Sequence, residues 1–344
     1  MILNLSSEKV FLNKVKSKLK IHFKNCFQYQ NLLKARSVKI SAIKDLSNLP
    51  FLHVNNFKDN DLYSIKRSKI FKILNSSSTT GTQPSKIYLD KKNSRDQLSA
   101  LKNIVIKILG PSRMPMLIVE KKPELKNRNN FSAKYAAIFG FSIFGSNHTY
   151  LLNSEGNIDY KNLNRFLNKF SKEKFFIFGF TFTIYEKLMK ELITKKIQYS
   201  MKNGILLHGG GWKKLEKFKI NNSSFAKKIE KKIKINKIFN YYGLIEQTGS
   251  IFLECDICRK FVTTEYSDII IRRPDMSICD VGEKGIIQLI SSIPSSYPGN
   301  SILVEDLGIN YGKHKFNNDN NRKCFSVLGR LPKAEIRGCS DTIK

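Results

Sequence analysis

The sequence predicts an α/β fold, and three observations carry that prediction. Short apolar runs of strand length alternate with stretches whose apolar residues recur at helical spacing. Glycines stand just past the ends of those runs, as in Ile205-Leu206-Leu207-His208-Gly209-Gly210-Gly211. After residue 250 the pattern changes to short strands and turns, which predicts a smaller β-rich subdomain. The expected division is 1–250 for the α/β region, 251–330 for the β-rich subdomain, and 331–344 for a C-terminal tail carrying Cys339.

Taken in order, residues 1–70 read as largely helical, including 40–49, because apolar and lysine positions mix at helical spacing. Residues 71–90 read as a hairpin: Phe71-Lys72-Ile73-Leu74 and Ile87-Tyr88-Leu89 flank a flexible loop. Residues 96–109 repeat apolar side chains as a helix does, and Met116-Leu117-Ile118-Val119 is a buried strand. A charged loop covers 121–130. Phe175-Phe176-Ile177-Phe178-Gly179-Phe180 is a second buried strand, with a helix after it near 185–195. Residues 205–207 and 237–243 are two more strands, followed by 268–271 and 285–289 in the β-rich part.

Composition narrows the class. With 41% hydrophobic residues, 344 residues can bury one large or two modest cores. No apolar run is long enough to span a bilayer, and the N-terminus lacks a secretory layout. Six scattered cysteines do not make a disulfide scaffold, so a soluble protein of a reducing cytoplasm is expected. The net charge of +32 attracts polyanions in general. It is mostly lysine spread from end to end, with no zinc-finger, basic-zipper or ribonucleoprotein signature, which argues against nucleic acid. An acidic partner protein and an oligomer both stay open. Cys255-Asp256-Ile257-Cys258 has neither a second C-x-x-C nor a close histidine pair after it, which argues against zinc. His148 reads as a loop or packing residue, whereas His208 lies beside a glycine run.

Four segments carry chemistry. In Ser76-Ser77-Ser78-Thr79-Thr80-Gly81-Thr82-Gln83-Pro84-Ser85-Lys86, hydroxyls and backbone N–H groups can converge on an anion, and Lys86 adds a charge suited to phosphate. It is not a Walker loop, because G-x-x-x-x-G-K-[ST] is absent. Tyr242-Gly243-Leu244-Ile245-Glu246 sets an aromatic face beside a carboxylate that can hold Mg²⁺. Asp306, at a strand end, suits ribose hydroxyls, and Gly329-Arg330 offers a glycine turn with a cation. Phe139, Phe141, Phe144 and Phe180 can line an apolar tunnel, although aromatic residues on strands are more often plain core.

In this order the four segments resemble the core signatures of adenylate-forming enzymes, with Ile245 in place of the usual hydroxyl residue. Within that superfamily, Ile177-Phe178-Gly179-Phe180-Thr181-Phe182, His208-Gly209-Gly210-Gly211-Trp212-Lys213, Gly243 to Gly249, and Ile336-Arg337-Gly338-Cys339-Ser340 are similar to the acyl-protein synthetases of LuxE type. Phenylacetate–coenzyme A ligases are a more distant resemblance.

The resemblance implies the large N-terminal domain of adenylate-forming enzymes with a smaller β-rich subdomain, lacking the mobile C-terminal domain. It implies ATP and Mg²⁺ as cofactors and a fatty or other carboxylic acid as substrate. Ser78, Thr79, Thr80, Gly81, Thr82 and Lys86 would then hold the phosphates, and Glu246 the metal. Tyr242, Gly243, Asp306, Arg330, Gly210 and Gly211 would surround the nucleoside. Cys339 would take the acyl group as a thioester for a partner reductase. Two other readings stay open at this point: a ligase that acylates coenzyme A or an acyl carrier protein, and a non-catalytic basic binding protein.

Overall fold

A computed structural model describes residues 2–76, 83–123, 130–211, 222–316 and 319–331. The chain opens with two helices, α1 (Ile2–Asn25) and α2 (Phe27–Ala35). Leu12, Val15, Leu19 and His22 recur every three or four residues and are buried, which fixes the inward face of α1. The helical expectation for residues 40–49 does not hold, because two single 3-10 turns stand there, Ile40–Ala42 and Leu46–Asn48. Asp45 is extended and its carboxylate accepts the Asn48 N–H at 3.2 Å, starting a fresh turn that Pro50 prevents from growing.

The chain continues through β1 (Leu52–His53), α3 (Asn56–Asp59), β2 (Lys72–Asn75), β3 (Lys86–Leu89), α4 (Lys91–Leu109), β4 (Met114–Lys121), β5 (Asn130–Ser132) and α5 (Ala133–Ser142). Then come β6 (Gly145–Leu152), α6 (Tyr160–Phe170), β7 (Phe175–Phe180) and α7 (Thr181–Thr183). The helix goes on as a π-helical stretch, Ile184–Met189, and ends in α8 (Lys190–Thr194). β8 (Gly204–Gly209), α9 (Asn222–Ile233) and β9 (Lys237–Tyr242) follow. The remainder is strand: β10 (Phe252–Glu254), β11 (Phe261–Val262), β12 (Ser267–Arg272), β13 (Lys284–Ser291), β14 (Ser301–Phe316) and β15 (Asp319–Arg330). Phe139 and Phe141 therefore sit on helix α5 and not on a strand. Phe141 packs as core, its ring 4.6 Å from Phe178 and 5.0 Å from Tyr241.

Two compact units result. One comprises residues 101–243 with 252–259. Its sheet runs β10-β9-β8-β7-β4-β6, parallel throughout except for β10 on β9. The inner strands β4, β7 and β8 are buried on both faces, which is why they read as nearly unbroken apolar runs. One face meets α6, the π-helical stretch and α9 through Leu163, Phe166, Leu188 and Ile229. α6 depends on its first turn: the Asp159 carboxylate accepts the Asn162 N–H at 2.9 Å and caps the helix. Asp159→Ala should lower stability by about 1 kcal/mol, read as a shift in the urea midpoint with unchanged slope. Asp159→Ser should recover most of that loss, and equal losses in both variants would mean that the cap is not the cause.

The other unit comprises residues 1–100, 244–251 and 260 onward. Its strands run β12-β13-β14-β15-β11, with antiparallel pairing along the β12-β13-β14-β15 part and β1 lying parallel on β14. These units do not follow the linear division at 250 and 330. The reason is non-local pairing: Leu52 faces Ile302 and His53 faces Leu303, so the N-terminal region joins the late strands. Among the described residues no helix is long and apolar enough to cross a membrane.

Candidate functional site

The hairpin predicted at 71–90 is present, with Lys72–Leu89 through Asn75–Lys86 in antiparallel register. Its mouth is closed by two hydrogen bonds: the Ser85 N–H donates to Ser76 Oγ at 2.8 Å, and the Ser76 N–H to the Ser85 carbonyl at 3.0 Å. Ser78, Thr79, Thr80, Gly81 and Thr82, between these anchors, lie outside the described residues. Lys86 is the first residue of β3, and its ammonium lies 3.4 Å from Asp61 Oδ1. The Tyr88 hydroxyl donates to the same oxygen at 2.6 Å.

Glu246 sits in a single 3-10 turn, Ile245–Gln247, and is buried. Burial pushes its carboxyl above the ordinary carboxylate range, opposed by the Ser85 hydroxyl and more weakly by the charges of Lys58 and Arg330. The turn is held from three sides. The Tyr297 hydroxyl donates to the Glu246 carbonyl at 2.8 Å, and the Gln247 amide donates to the carbonyls of Leu289 and Gly299 at 3.2 and 2.8 Å. Gly249 has φ +85°, and a Cβ there would lie 2.4 Å from the Gln97 carbonyl oxygen, so the turn presses against the backbone of α4.

Asp306 and Arg330 depart from their expected settings. Asp306 lies inside the long strand β14 and not at a strand end, and Arg330 is the last residue of β15, directly opposite it, and not in a glycine turn. The register shifts between Leu307, opposite Gly329, and Gly308, opposite Val327, so β15 carries a bulge at Leu328, beside Gly329, whose φ is 142°. That bulge turns the end of β15, where Arg330 stands. Thus Ser85, Glu246, Asp306 and Arg330, far apart in sequence, come together in one unit.

Tyr242, Gly243, Gly210 and Gly211 belong to the other unit, at the C-terminal ends of β9 and β8. Gly210 is exposed with φ +80°, a left-handed turn that favours glycine. Gly209 needs to be glycine for another reason, because a Cβ would meet the Tyr241 ring at 2.4 Å. His208 is wholly buried. Its Nδ1 and Thr181 Oγ1 are 2.9 Å apart, and burial, helped by the Arg259 charge, lowers its pKa to about 3. It is a neutral hydrogen-bonding core residue. His148 is exposed and pairs with the Ser142 carbonyl at 2.9 Å. Cys339 lies outside the described residues.

Sequence reasoning missed Asp61, Tyr88 and Tyr297, and it placed Ser85 in the hydroxyl-rich loop without its link to Glu246. Only Tyr88 carried a signal, since it lies two residues from Lys86 on the same strand and therefore on the same face. Among the described residues no three His, Cys, Asp or Glu side chains gather as a metal-binding set. Glu246 nevertheless offers one buried carboxyl of the kind Mg²⁺ takes, since that ion uses one or two carboxylates and completes its shell with phosphate oxygens.

The chain matches the family model of acyl-protein synthetase, LuxE, over residues 3–344. No curated protein matches it in sequence. Among solved structures, an open conformation of 2-hydroxyisobutyryl-CoA ligase in complex with 2-HIB-AMP and CoA is similar with TM-score 0.72 and 14% identity, covering 95% of this chain and 75% of that one. The same ligase in the postadenylation state with R3-HIB-AMP gives TM-score 0.73 and 12% identity, over 94% and 68%. ATP-bound MatB from Rhodopseudomonas palustris gives 0.50 and 11%, over 78% and 49%. The expected fold, mixed α/β as in the large N-terminal domain of adenylate-forming ligases, is the observed one. With the family model matched from residue 3 to residue 344, the chain belongs to the acyl-protein synthetase (LuxE) family and is an ATP-dependent, adenylate-forming acyl ligase.

Proposed function

We propose that this ligase activates a fatty acid with ATP and then carries the acyl group on its own Cys339 for delivery to a partner reductase. The observation that supports this reading is that buried Glu246 is influenced both by Ser85, at the mouth of a hairpin whose loop is rich in hydroxyls, and by the charge of Arg330, which stands opposite Asp306.

A carboxylate is a poor acyl donor, because its leaving group would be oxide. In the first step its oxygen attacks the α-phosphorus of ATP, the bond to the bridging oxygen breaks, and acyl-adenylate and pyrophosphate result. Lys86 and the N–H groups and hydroxyls of Ser78, Thr79, Thr80, Gly81 and Thr82 hold the phosphates and spread their charge. Glu246 would hold Mg²⁺, which when bound supplies further neutralisation of the phosphate oxygens. Asp306 accepts from ribose hydroxyls, with Arg330 opposite it. Tyr242 stacks on adenine, with Gly243, Gly210 and Gly211 leaving room for the nucleotide. In the second step the Cys339 thiolate attacks the adenylate carbonyl, giving a thioester and releasing AMP. Arg337, two residues away, favours the thiolate.

A second acceptor has one observation in its favour: the similar 2-hydroxyisobutyryl-CoA ligase structure is a complex with both 2-HIB-AMP and CoA. Intact mass after incubation with Mg²⁺, ATP and carboxylic acids of rising chain length distinguishes the two. An acyl-sized gain that requires ATP and disappears in Cys339→Ala is the expected result, and the acid giving the largest gain names the preferred chain length. Acid-dependent pyrophosphate release without a mass gain would move the acceptor to CoA or a carrier protein. The absence of both pyrophosphate release and mass gain would overturn the proposal.

A further inference from the structure

The ion pair at the start of β3 has a strong half and a weak half. Tyr88 is almost wholly buried, its ring lies edge-on to that of Tyr63 at 5.4 Å, and its hydroxyl reaches Asp61 Oδ1 at 2.6 Å. A short bond from a fixed phenol to a carboxylate is charge-assisted and holds Asp61 in place. Lys86 meets that same oxygen at only 3.4 Å, with both side chains 42% exposed. Exposed pairs of this kind are held weakly. The Asp61 carboxyl stays well ionised, first because of the Tyr88 hydrogen bond and then because of Lys86 and Arg67. Lys86 is therefore free to leave, whereas Asp61 is not free to follow.

We propose that Asp61 is a latch on Lys86: it holds the ammonium aside while the phosphate loop is empty and yields it to the phosphates of ATP. This rests on the reading of residues 76–86 as that loop. Asp61 acts through Lys86, so it is a positioning residue, anchored in turn by Tyr88.

The test measures ATP affinity, in the presence of Mg²⁺, by calorimetry and KM in acid-dependent pyrophosphate release. Asp61→Asn should tighten ATP binding roughly threefold to fivefold and lower KM for ATP, with kcat within about twofold. Asp61→Glu, which keeps the charge, should stay within about twofold of the wild type. In a Lys86→Met background, Asp61→Asn should change nothing further. Equal tightening with and without Lys86 would overturn the latch, since the carboxylate would then act by repelling phosphate directly. Unchanged affinity in Asp61→Asn, with the wild type binding ATP normally, would overturn the latch alone. A wild type that neither binds ATP nor releases pyrophosphate would overturn the latch together with the functional reading.

Discussion

Glu246→Gln should slow acid-dependent pyrophosphate release by a hundredfold or more, of the order seen when one preorganised electrostatic group is removed, and should at the same time raise the melting temperature. The two effects share a cause. Glu246 is buried, and its carboxyl is pushed above its ordinary value of 4.5, first by desolvation. A folded-state value above the unfolded one means that the fold prefers the protonated, neutral form. The linked stability is present in full below pH 4.5 and is lost as pH rises through the folded value. At neutral pH the wild type therefore carries the cost of keeping a desolvated carboxyl, whether ionised or protonated, that glutamine, equal in shape and neutral, does not. In chelator and without nucleotide the variant should be more stable by about 1 kcal/mol, or ~2 °C, and the gap should close as pH falls towards 4.5. Adding Mg²⁺ and ATP should stabilise the wild type more than the variant. A variant that keeps full turnover would remove Glu246 from the site. One that melts earlier at neutral pH would show that the ionised carboxyl supports the fold.

Gly249→Ala should cost about 3 kcal/mol or more. Two penalties add: φ is +85°, where a Cβ costs about 1–2 kcal/mol, and the new atom would lie 2.4 Å from the Gln97 oxygen and 2.7 Å from its Cα. Those are backbone atoms of α4, so no side-chain rotation relieves the contact. Gly282 provides the comparison, because its φ is +91° and a Cβ there meets nothing within 4 Å. Gly282→Ala should show only the conformational cost. Denaturant midpoints for both variants separate the terms, and equal losses would mean that the α4 contact yields easily. If the close approach positions Glu246, three residues earlier, Gly249→Ala should also reduce pyrophosphate release at temperatures where the variant stays folded.

The strands were legible wherever one kind of information sufficed. Met114–Lys121, Phe175–Phe180, Gly204–Gly209 and Lys237–Tyr242 are apolar on both faces, because a parallel sheet covered on both sides leaves no polar alternation. The hairpin was legible from two short apolar runs around a hydroxyl-rich loop. Residues 40–49 misled, because apolar spacing there satisfies a helix locally while Asp45 and Pro50 limit it to single turns. The family was legible from the order of motifs between Lys86 and Arg330.

The sequence by itself determined the α/β class and four of its apolar strands, since both are written in local composition and spacing, and it supplied the residues proposed to meet a nucleotide. Only the tertiary structure decided which of those residues share an environment. Asp306 faces Arg330 because β14 and β15 pair across a bulge, and Glu246 meets Ser85 because residues 244–251 fold with residues 1–100. Lys86 finds Asp61, 25 positions earlier, through a contact that carries no periodic trace. Such meetings are fixed by long-range pairing and burial, and these depend on the whole chain at once.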